Sequence, residues 1–296
     1  MLDIMKTESK NEVYVSGILN ELDIVEGTTA DGRDWVRGTA EIKVDQEING
    51  VMTESIVSNK MFSMRLKKDN SPNKLYDIIL GYKNNFTSAA AAEDISEASR
   101  VTVAAGKLTE NVWVDNTGKE HSSFQINSNF MNKKKDNDIE GATFQLSGVV
   151  IKMQEETDRE DTPTGRLILK FGVIGYAGKI DILTLIAEGN AKVHIEQNWQ
   201  EGDTVKVAGK INMTQKTIEV VEEQGFGEAI KSSKTVFSKE LIITSGSAGS
   251  LEENNSYDAD SIKKACLERL TRIEELKNKQ SKSTVKNAKQ SSPFGF

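Results

Sequence analysis

The stretch from Asn11 to Glu26, NEVYVSGILNELDIVE, decides the fold class. Apolar and polar residues alternate along it, and this period of two predicts one long β-strand. Gly17 lies at its centre, where glycine weakens a strand unless a sharp bend is needed. Small closed barrels need such bends, because each strand coils to pair with two neighbours. The stretch therefore favours a small β-barrel over the alternative, a flat edge strand that tolerates glycine.

The features of this first strand recur in the second half of the chain. The repeated features are mid-strand glycines with similar neighbours and a Gly-Arg pair that closes the first loop. They are Val15-Ser16-Gly17-Ile18 and Leu146-Ser147-Gly148-Val149, Gly32-Arg33 and Gly165-Arg166, and the stretches 103–108 and 207–211 around Gly106 and Gly209. Their common order in both halves indicates an internal duplication. The sequence therefore predicts two barrels in tandem.

Turn and composition signals divide the chain into five parts. A helix is predicted from Ser71 to Tyr82, inside the first half, because Pro72 marks a helix start. The glycine- and serine-rich run from Ser245 to Ser250 predicts a flexible linker. The parts are a first barrel domain (1–138), a second barrel domain (139–245), a linker (246–257), a helix (258–279) and a disordered basic tail (280–296).

Bulk composition excludes several classes of protein. The formal net charge of −7 argues against coating of duplex DNA by overall positive charge, but not against a local basic groove. No apolar run approaches the roughly 18 residues that span a bilayer. Cys266 has no cysteine to pair with, and the N-terminus lacks a signal peptide, so a cytoplasmic location is predicted.

Catalytic constellations are also missing from the sequence. The two histidines, His121 and His194, and the lone Cys266 form neither a zinc motif nor a Cys/His dyad. The glycines from Gly172 to Gly178 lack the lysine and the helix of a phosphate-binding loop. The sequence therefore predicts a non-enzymatic protein without a cofactor or a metal.

Several stretches resemble the bacterial and phage single-stranded DNA-binding protein family. The resemblance lies in an asparagine-led apolar run with a central glycine, a glycine before the second strand, and a fourth strand followed by a hairpin. These are Asn11 to Leu19, Gly32 to Trp35, Val101 to Leu108 and Trp113 to Glu120. The likeness covers most of 11–131 and, more loosely, 142–214. It implies tandem OB-folds, which are five-stranded Greek-key barrels, and a protein that coats and protects single-stranded DNA, with RNA left open, in replication or recombination.

The family resemblance also implies an assembly state and a partner-binding tip. Members carry one barrel per chain in tetramers or several barrels per chain, so two barrels in tandem imply a monomer or dimer. The family's C-terminal tip is acidic and ends in Pro-Phe, and it recruits replication or recombination proteins. Here Pro293, Phe294 and Phe296 follow a run of lysines instead. A phage or mobile-element version, acting in the cytoplasm of a bacterial host, accommodates this departure.

A single strand is bound by flat side chains that stack on bases and by cations that neutralise phosphates. The candidate nucleic-acid-binding residues of both barrels are aromatic or basic side chains predicted on outer faces or loops. They are Arg33, Trp35, Arg37, Lys43, Phe62, Arg65, Lys107, Trp113, Lys119, Arg166, Lys170 and Tyr176. Alternatives stay open: Trp35 and Trp113 are also typical of packing residues, and Arg65-Leu66-Lys67-Lys68 of a solvated loop. Phe144, Phe171 and Trp199 are predicted in the core.

A second function remains open on the sequence alone. The predicted first loop of the second barrel, Glu155 to Asp161, is acidic and would repel a phosphate backbone. The chain could therefore be a structural or adaptor protein of a virion or replisome, with barrels that contact other proteins. The C-terminal helix carries an apolar stripe that includes Ile262, Leu270 and Leu276, and this stripe favours docking in cis over a second copy or a partner.

Overall fold

The computed structural model describes residues 1–222 and 230–290, and the side chains of residues 1–214 and 237–279. This part of the chain is mainly β. Its elements are β1 (Asn11–Thr28), β2 (Asp34–Ile48), β3 (Val51–Met64), α1 (Lys74–Asn85), β4 (Arg100–Val114), β5 (Glu120–Asn127), β6 (Met131–Lys133), β7 (Gly141–Thr157), β8 (Pro163–Ile174), β9 (Ile180–Ala187), α2 (Gly189–Asn198), β10 (Thr204–Glu222), β11 (Ile230–Gly246) and α3 (Ala259–Gln290). None of the described helices is long and apolar enough to cross a membrane.

The first barrel closes in the order β1-β2-β3-β5-β4 and back to β1. All its ladders are antiparallel except the short parallel one between β3 and β5, where Asn59 faces Ile126. The helix α1 connects β3 to β4 and buries Tyr76, Ile79 and Tyr82. Five strands in this order, with a helix between the third and fourth, are the OB-fold, a partly open Greek-key barrel.

The second barrel repeats the first one strand for strand. Its order is β7-β8-β9-β11-β10 and back to β7, and the parallel contact joins Leu241 of β11 to Leu185 of β9. The prediction of a mainly β protein with two tandem OB-folds and a C-terminal helix is thus confirmed. Phe144, Phe171 and Trp199 are buried, as predicted.

The mid-strand glycines lie where two backbones come close together. A Cβ on Gly17 would lie 2.1 Å from the carbonyl oxygen of Lys43, and one on Gly148 would lie 2.2 Å from that of Gly172. Gly209 has the same relation to the carbonyl of Ile242, at 2.0 Å. No side chain fits at these distances, so these glycines allow the strands to coil into barrels.

The two barrels share one sheet. Residues 11–16 of β1 pair antiparallel with residues 141–146 of β7, while the rest of β1 pairs with β2. The side chains of Val13 and Phe144, which face each other in this ladder, belong to one continuous apolar core. Gln46 adds a buried link, because its Nε2 donates to the carbonyl of Ile211 and its Oε1 accepts from the backbone N–H of Ala142. The barrels therefore form one packed unit.

Helix α3 docks on the barrels. Ile262 and Ala265 pack with Ile4, Val149 and Ile180 in a second apolar cluster. Two members of the predicted apolar stripe do not take part: Leu270 is 50% exposed and Leu276 is 41% exposed. The helix also continues to Gln290, beyond the predicted end at 279. The reason is visible in the sequence, since neither glycine nor proline occurs between 279 and Pro293.

Helix α2 was not predicted, because residues 188–203 were interpreted as a link between strands. The helix is short and buries only Ile195, so it lacks the repeated apolar spacing by which a helix is recognised. Trp199 follows it, and its Nε1 donates to the carbonyl of Ser247 at 3.1 Å. This hydrogen bond fixes the start of the segment that was predicted as a linker.

A buried ion pair holds α3 against both barrels. Arg269 donates through Nε to Oε2 of Glu110 on β4 at 2.7 Å, and the exposed fractions of the two side chains are 12% and 4%. The same carboxylate oxygen accepts from the backbone N–H of Ile182 on β9 at 3.2 Å. Glu110 therefore connects one strand of each barrel with the C-terminal helix.

Asp181 lies near this ion pair and is destabilised in its charged form. Burial raises the pKa of its carboxyl, and the nearby charge of Glu110 raises it further. A carboxyl with a raised pKa in the folded state favours folding at low pH, and this contribution is lost as the pH rises through the folded pKa. The charged form of Asp181 is therefore a cost at neutral pH.

Replacing Asp181 with asparagine should increase the free energy of unfolding at about pH 7, and the gain should shrink towards about pH 4, where the aspartate is itself partly protonated. Urea unfolding of both proteins at several pH values measures the difference. A gain that does not change with pH would contradict this account and point to a packing effect instead.

Candidate nucleic-acid interface

A groove runs over the outer face of the first barrel. Strand alternation places Val36 and Ile42 in the core and turns Arg37 and Thr39 outward, next to Lys60 and Phe62 on β3. These four residues, with Gln125 and Asn127 on β5, are named the first-barrel groove. They line a cavity of about 460 Å³ that also contacts Asp23, Gly38 and Met61.

Phe62 lies between two cations in this groove. Its ring is 56% exposed, and it faces Arg37 directly in the β2–β3 ladder. Lys60 lies two residues before Phe62 on the same face, and its Nζ donates to Oγ1 of Thr39 at 2.8 Å. Within the part of the chain that the structure describes, neither Arg37 nor Lys60 forms an ion pair. An exposed ring and two unneutralised cations are what a base and its flanking phosphates require.

Amide side chains hold the groove in shape. Asn129 accepts from the backbone N–H of Phe62 through Oδ1 at 2.9 Å and donates from Nδ2 to its carbonyl at 3.0 Å. Asn127 donates to Oγ1 of Thr109 at 2.6 Å, and Gln125 donates to Oδ1 of Asn127 at 2.6 Å. The position of Phe62 is therefore set before any ligand arrives, which lowers the entropy cost of binding.

Trp35 continues this face towards the loop between β1 and β2. Its ring covers Gly27, where a Cβ would lie 2.3 Å from Cζ2 of the tryptophan. The guanidinium of Arg37 lies 5.5 Å from the centroid of the Trp35 ring. The packing interpretation has a structural basis, because Trp35 lies against Gly27 of its own barrel. The binding interpretation has one too, because Trp35 contacts Arg37 at the edge of the groove.

Beyond Trp35 lies a loop cavity of about 510 Å³, formed by residues 32–34, 64–68 and 70. Arg33 pairs there with Asp31 at 2.8 Å, and Arg65 pairs with Asp34 at 3.1 Å. Both pairs are exposed, so a phosphate could displace the carboxylates at small cost. From Thr39 to Arg33 the strand spans about 20 Å, at about 3.3 Å per residue. The groove and the loop cavity therefore lie along the same two strands, β2 and β3, with Trp35 between them.

The hairpin between β4 and β5 borders the groove on its other side. Trp113 pairs with His121 in this hairpin, and alternation places both on the same face as Gln125 and Asn127. The two rings stack at 5.5 Å with an interplanar angle of 16°, and Trp113 is 44% exposed. Lys119 lies in the turn of this hairpin. This is the geometry of a finger that could close over a bound strand.

Lys43 and Lys107, two of the predicted binding residues of the first barrel, form ion pairs and add no unpaired charge to the groove. Lys43 forms an ion pair with Glu54, towards the far end of β2. Lys107 lies on β4 across from Asn127, but its Nζ reaches Glu8 at 3.4 Å. Glu8 comes from a distant part of the sequence, whereas Glu54 lies across the β2–β3 hairpin from Lys43, where the strand register decides which side chains meet.

The second barrel carries a different set of side chains at the equivalent face. Arg166 occupies the place of Arg37, and its neighbours Glu156, Glu188 and Glu240 replace Val25, Phe62 and Gln125, as the matching ladder registers show. Arg166 lies 2.6 Å from Glu240 and 3.5 Å from Glu156. The charge of Arg166 is therefore neutralised, and carboxylates outnumber it on this face.

The remaining predicted residues are spread over the second barrel and the tail. Lys170 lies on the outer face of β8, and its Nζ donates to Oγ1 of Thr184 at 2.9 Å. Tyr176 is 81% exposed in a turn after β8, at the opposite end of that strand from Arg166. Pro293, Phe294 and Phe296 lie outside the described residues.

Sequence reasoning missed four residues of the groove. Thr39, Lys60, Gln125 and Asn127 line it, although none of them is among the candidates from the sequence. Lys60 could have been found, since it shares a strand face with Phe62 at a spacing of two. Gln125 and Asn127 gave no such signal, because uncharged amides on a strand are typical of any solvated surface.

Comparisons with known proteins give two kinds of match. No curated protein sequence matches the chain. Among solved structures, the wild-type single-stranded DNA binding protein from Thermus aquaticus is similar at 11% identity and a TM-score of 0.49, covering 86% of this chain and 99% of that one. A small single-stranded DNA-binding protein from Streptomyces coelicolor is similar at 12% identity and a TM-score of 0.26, covering 43% and 98%. A sequence model of the YorF family matches residues 10–279. Because this match covers most of the chain, the protein belongs to the YorF family.

Proposed function

We propose that this protein binds single-stranded DNA along the first-barrel groove, without catalysis. The observation that carries the proposal is the exposed ring of Phe62 between Arg37 and Lys60, two cations that have no carboxylate partner among the described side chains. Stacking of one base on such a ring contributes about 1–3 kcal/mol. The proposal covers a coating and protecting role in replication or recombination, in the cytoplasm of a bacterial or phage-infected cell.

Weak sequence preference follows from the same geometry. Every base has a flat face that can stack on Phe62, whereas the amide nitrogens of Gln125 and Asn127 already donate within the protein, to Asn127 and Thr109. Phosphate contacts by Arg37, Lys60 and the cations of the loop cavity carry no sequence information. The protein would therefore bind unrelated sequences with similar affinity.

One observation favours a second role for the second barrel. Its Arg166 face is covered by carboxylates, which repel a phosphate backbone and suit contacts with proteins. An adaptor role for the whole chain is therefore the competing proposal. The two proposals differ in a simple result, because only the first predicts salt-sensitive binding of an oligonucleotide.

Replacing Phe62 with alanine should weaken binding of a labelled oligothymidylate by about 5- to 150-fold, which corresponds to the loss of about 1–3 kcal/mol of stacking. Fluorescence anisotropy at two salt concentrations measures this. Phe130→Ala is the matched control, since Phe130 is also exposed on the first barrel but does not line the groove. If the parent protein binds no oligonucleotide at low salt, the adaptor role takes the place of this proposal.

The equivalent arginines provide a further control for the same measurement. Arg37→Gln should weaken binding and lower its salt dependence, because one phosphate contact is lost. Arg166→Gln should leave binding of a short oligothymidylate of about 4–6 nucleotides, which fills only the first-barrel groove, unchanged and should lower stability instead, since it leaves the half-buried carboxylate of Glu240 without its partner. A parallel test of Trp35→Ala separates its two roles, because full binding by this variant would make Trp35 a packing residue only.

A further inference from the structure

A third cavity lies between the two barrels, next to the first-barrel groove. Its volume is about 250 Å³, and it is named the junction cavity. The lining residues come from one strand of the first barrel and two of the second. They are Ser122, Ser123 and Phe124 of β5, Ile182, Thr184 and Ile186 of β9, and Lys239 and Glu240 of β11. Ser123 of this cavity and Gln125 of the first-barrel groove lie two residues apart on the same face of β5, so the two cavities adjoin.

Lys239 brings a positive charge from the second barrel to this junction. Its Nζ lies 4.7 Å from the ring centroid of Phe124, a cation–π contact between the barrels. Burial lowers the pKa of Lys239, and the positive charge of Lys60 lowers it further, so the two ammonium groups are close enough to interact. Across the described side chains, Lys239 has no ion-pair partner, as is true of Lys60.

A third lysine lies on the same side. Lys170 on β8 donates to the hydroxyl of Thr184, which lines the junction cavity. The one carboxylate of the lining, Glu240, is already used, because its Oε1 pairs with Arg166 at 2.6 Å and its Oε2 accepts from Asn212 at 3.0 Å. Lys239 therefore lines this cavity, Lys170 contacts it through Thr184, and Lys60 lies in the adjoining groove. Among the described side chains, none of the three has a carboxylate of its own.

Like charges that approach one another cost free energy unless an anion lies between them. The junction cavity also supplies the hydroxyl of Thr184, which accepts from Lys170 and so keeps its own proton for a phosphate oxygen, and that of Ser123, whose contact with the carbonyl of Phe124 is long at 3.5 Å. The hydroxyl of Ser122 is already used, because it donates to Oε1 of Glu110 at 2.9 Å. Its size suits a single tetrahedral anion with part of a sugar rather than a folded peptide. The chemistry of the site thus fits a phosphodiester.

We infer that Lys60, Lys170 and Lys239 hold a backbone phosphate of the bound strand, so that single-stranded DNA leaves the first-barrel groove through the junction cavity and crosses to the second barrel there. This inference rests on the proposed function. The inference gives the second barrel a role in binding although its Arg166 is already ion-paired. The contacts would come from the side formed by β8, β9 and β11, through Lys170, Thr184 and Lys239.

Lys239→Gln tests the crossing in the full-length protein. With oligothymidylates of about 20 nucleotides, the variant should bind about 3- to 10-fold more weakly than the parent, with a salt slope smaller by about 0.7 for the lost phosphate contact. With oligomers of about 4–6 nucleotides, which fill only the first-barrel groove, parent and variant should bind alike. Lys206→Gln is the matched control, since Lys206 is an exposed lysine of β10 that does not line the cavity.

A neutral linkage in the DNA provides the complementary test. A series of oligomers carries one methylphosphonate each, at a different linkage in each oligomer. The parent protein should bind more weakly when the neutral linkage lies in the groove, and also when it lies at one further position beyond the groove. The loss at that further linkage should be smaller in Lys239→Gln, because one of the three charges that the phosphate would contact is already gone. The losses at groove linkages should persist in the variant.

The outcomes separate the two proposals. If the parent binds long oligomers but Lys239→Gln matches Lys206→Gln at every length, the crossing is wrong and the proposed function stands. If the parent binds no oligomer of any length, both are wrong. Circular dichroism and unfolding of each variant exclude loss of folding as the cause of weaker binding.

Discussion

Glu110→Ala should lower the free energy of unfolding by about 3–5 kcal/mol, because it leaves the guanidinium of Arg269 buried without its partner. The same change removes the acceptor for the backbone N–H of Ile182 and so loosens the contact between the barrels. Since a typical domain is stable by about 5–15 kcal/mol, the loss would be a large part of the total. Urea unfolding measures it.

The control for this prediction is an ion pair on the same helix. Lys277 of α3 pairs with Glu120 of β5 at 3.0 Å, but both side chains are partly exposed. Glu120→Ala should therefore cost only about 0–1 kcal/mol. Equal losses in the two variants would show that burial does not strengthen the Glu110–Arg269 pair. Amide hydrogen exchange should report early opening of α3 in Glu110→Ala alone.

Gly17→Ala should lower the free energy of unfolding by roughly 3 kcal/mol or more, because the new Cβ would lie 2.1 Å from the carbonyl oxygen of Lys43. The obstacle is backbone, so relief requires β1 and β2 to separate where the barrel coils. Guanidinium unfolding measures the loss, and binding of an oligothymidylate should weaken with it, since β2 carries Trp35 and Arg37.

Gly81→Ala in α1 is the opposite case. Its Cβ would find its nearest contact, the side-chain nitrogen of Asn85, at 3.4 Å, an ordinary distance. Alanine favours a helix over glycine by about 0.5–1 kcal/mol, so this variant should be slightly more stable than the parent. A Gly17→Ala protein of unchanged stability would contradict the close approach of β1 to β2.

The barrels could be predicted from the sequence because their causes are local. Alternation along residues 11–26 and a glycine at 17 are enough to indicate a coiled strand, and their recurrence around Gly148 indicates the second barrel. Helix α2 escaped prediction because its packing depends mostly on Ile195 and on tertiary contacts of Trp199. Short helices held by such contacts leave little trace in apolar spacing.

The candidate site was predicted in part for the same reason. Arg37 and Phe62 project outward by simple alternation and were found. The sequence could not show that Arg166 is surrounded by Glu156, Glu188 and Glu240, because cross-strand neighbours are set by register. Lys239 was not predicted either, because its contact with the ring of Phe124 depends on how the two barrels pack.

The ladder between the first halves of β1 and β7 has a consequence for any attempt to isolate one barrel. A fragment that ends before residue 141 would leave unpaired those N–H and C=O groups of residues 11–16 that face β7, while the groups that face β4 would stay paired. Such a row of unsatisfied backbone groups is a template for another chain. Two fragments could meet there antiparallel, each taking the place that β7 holds in the intact chain, so the single barrel would tend to self-associate.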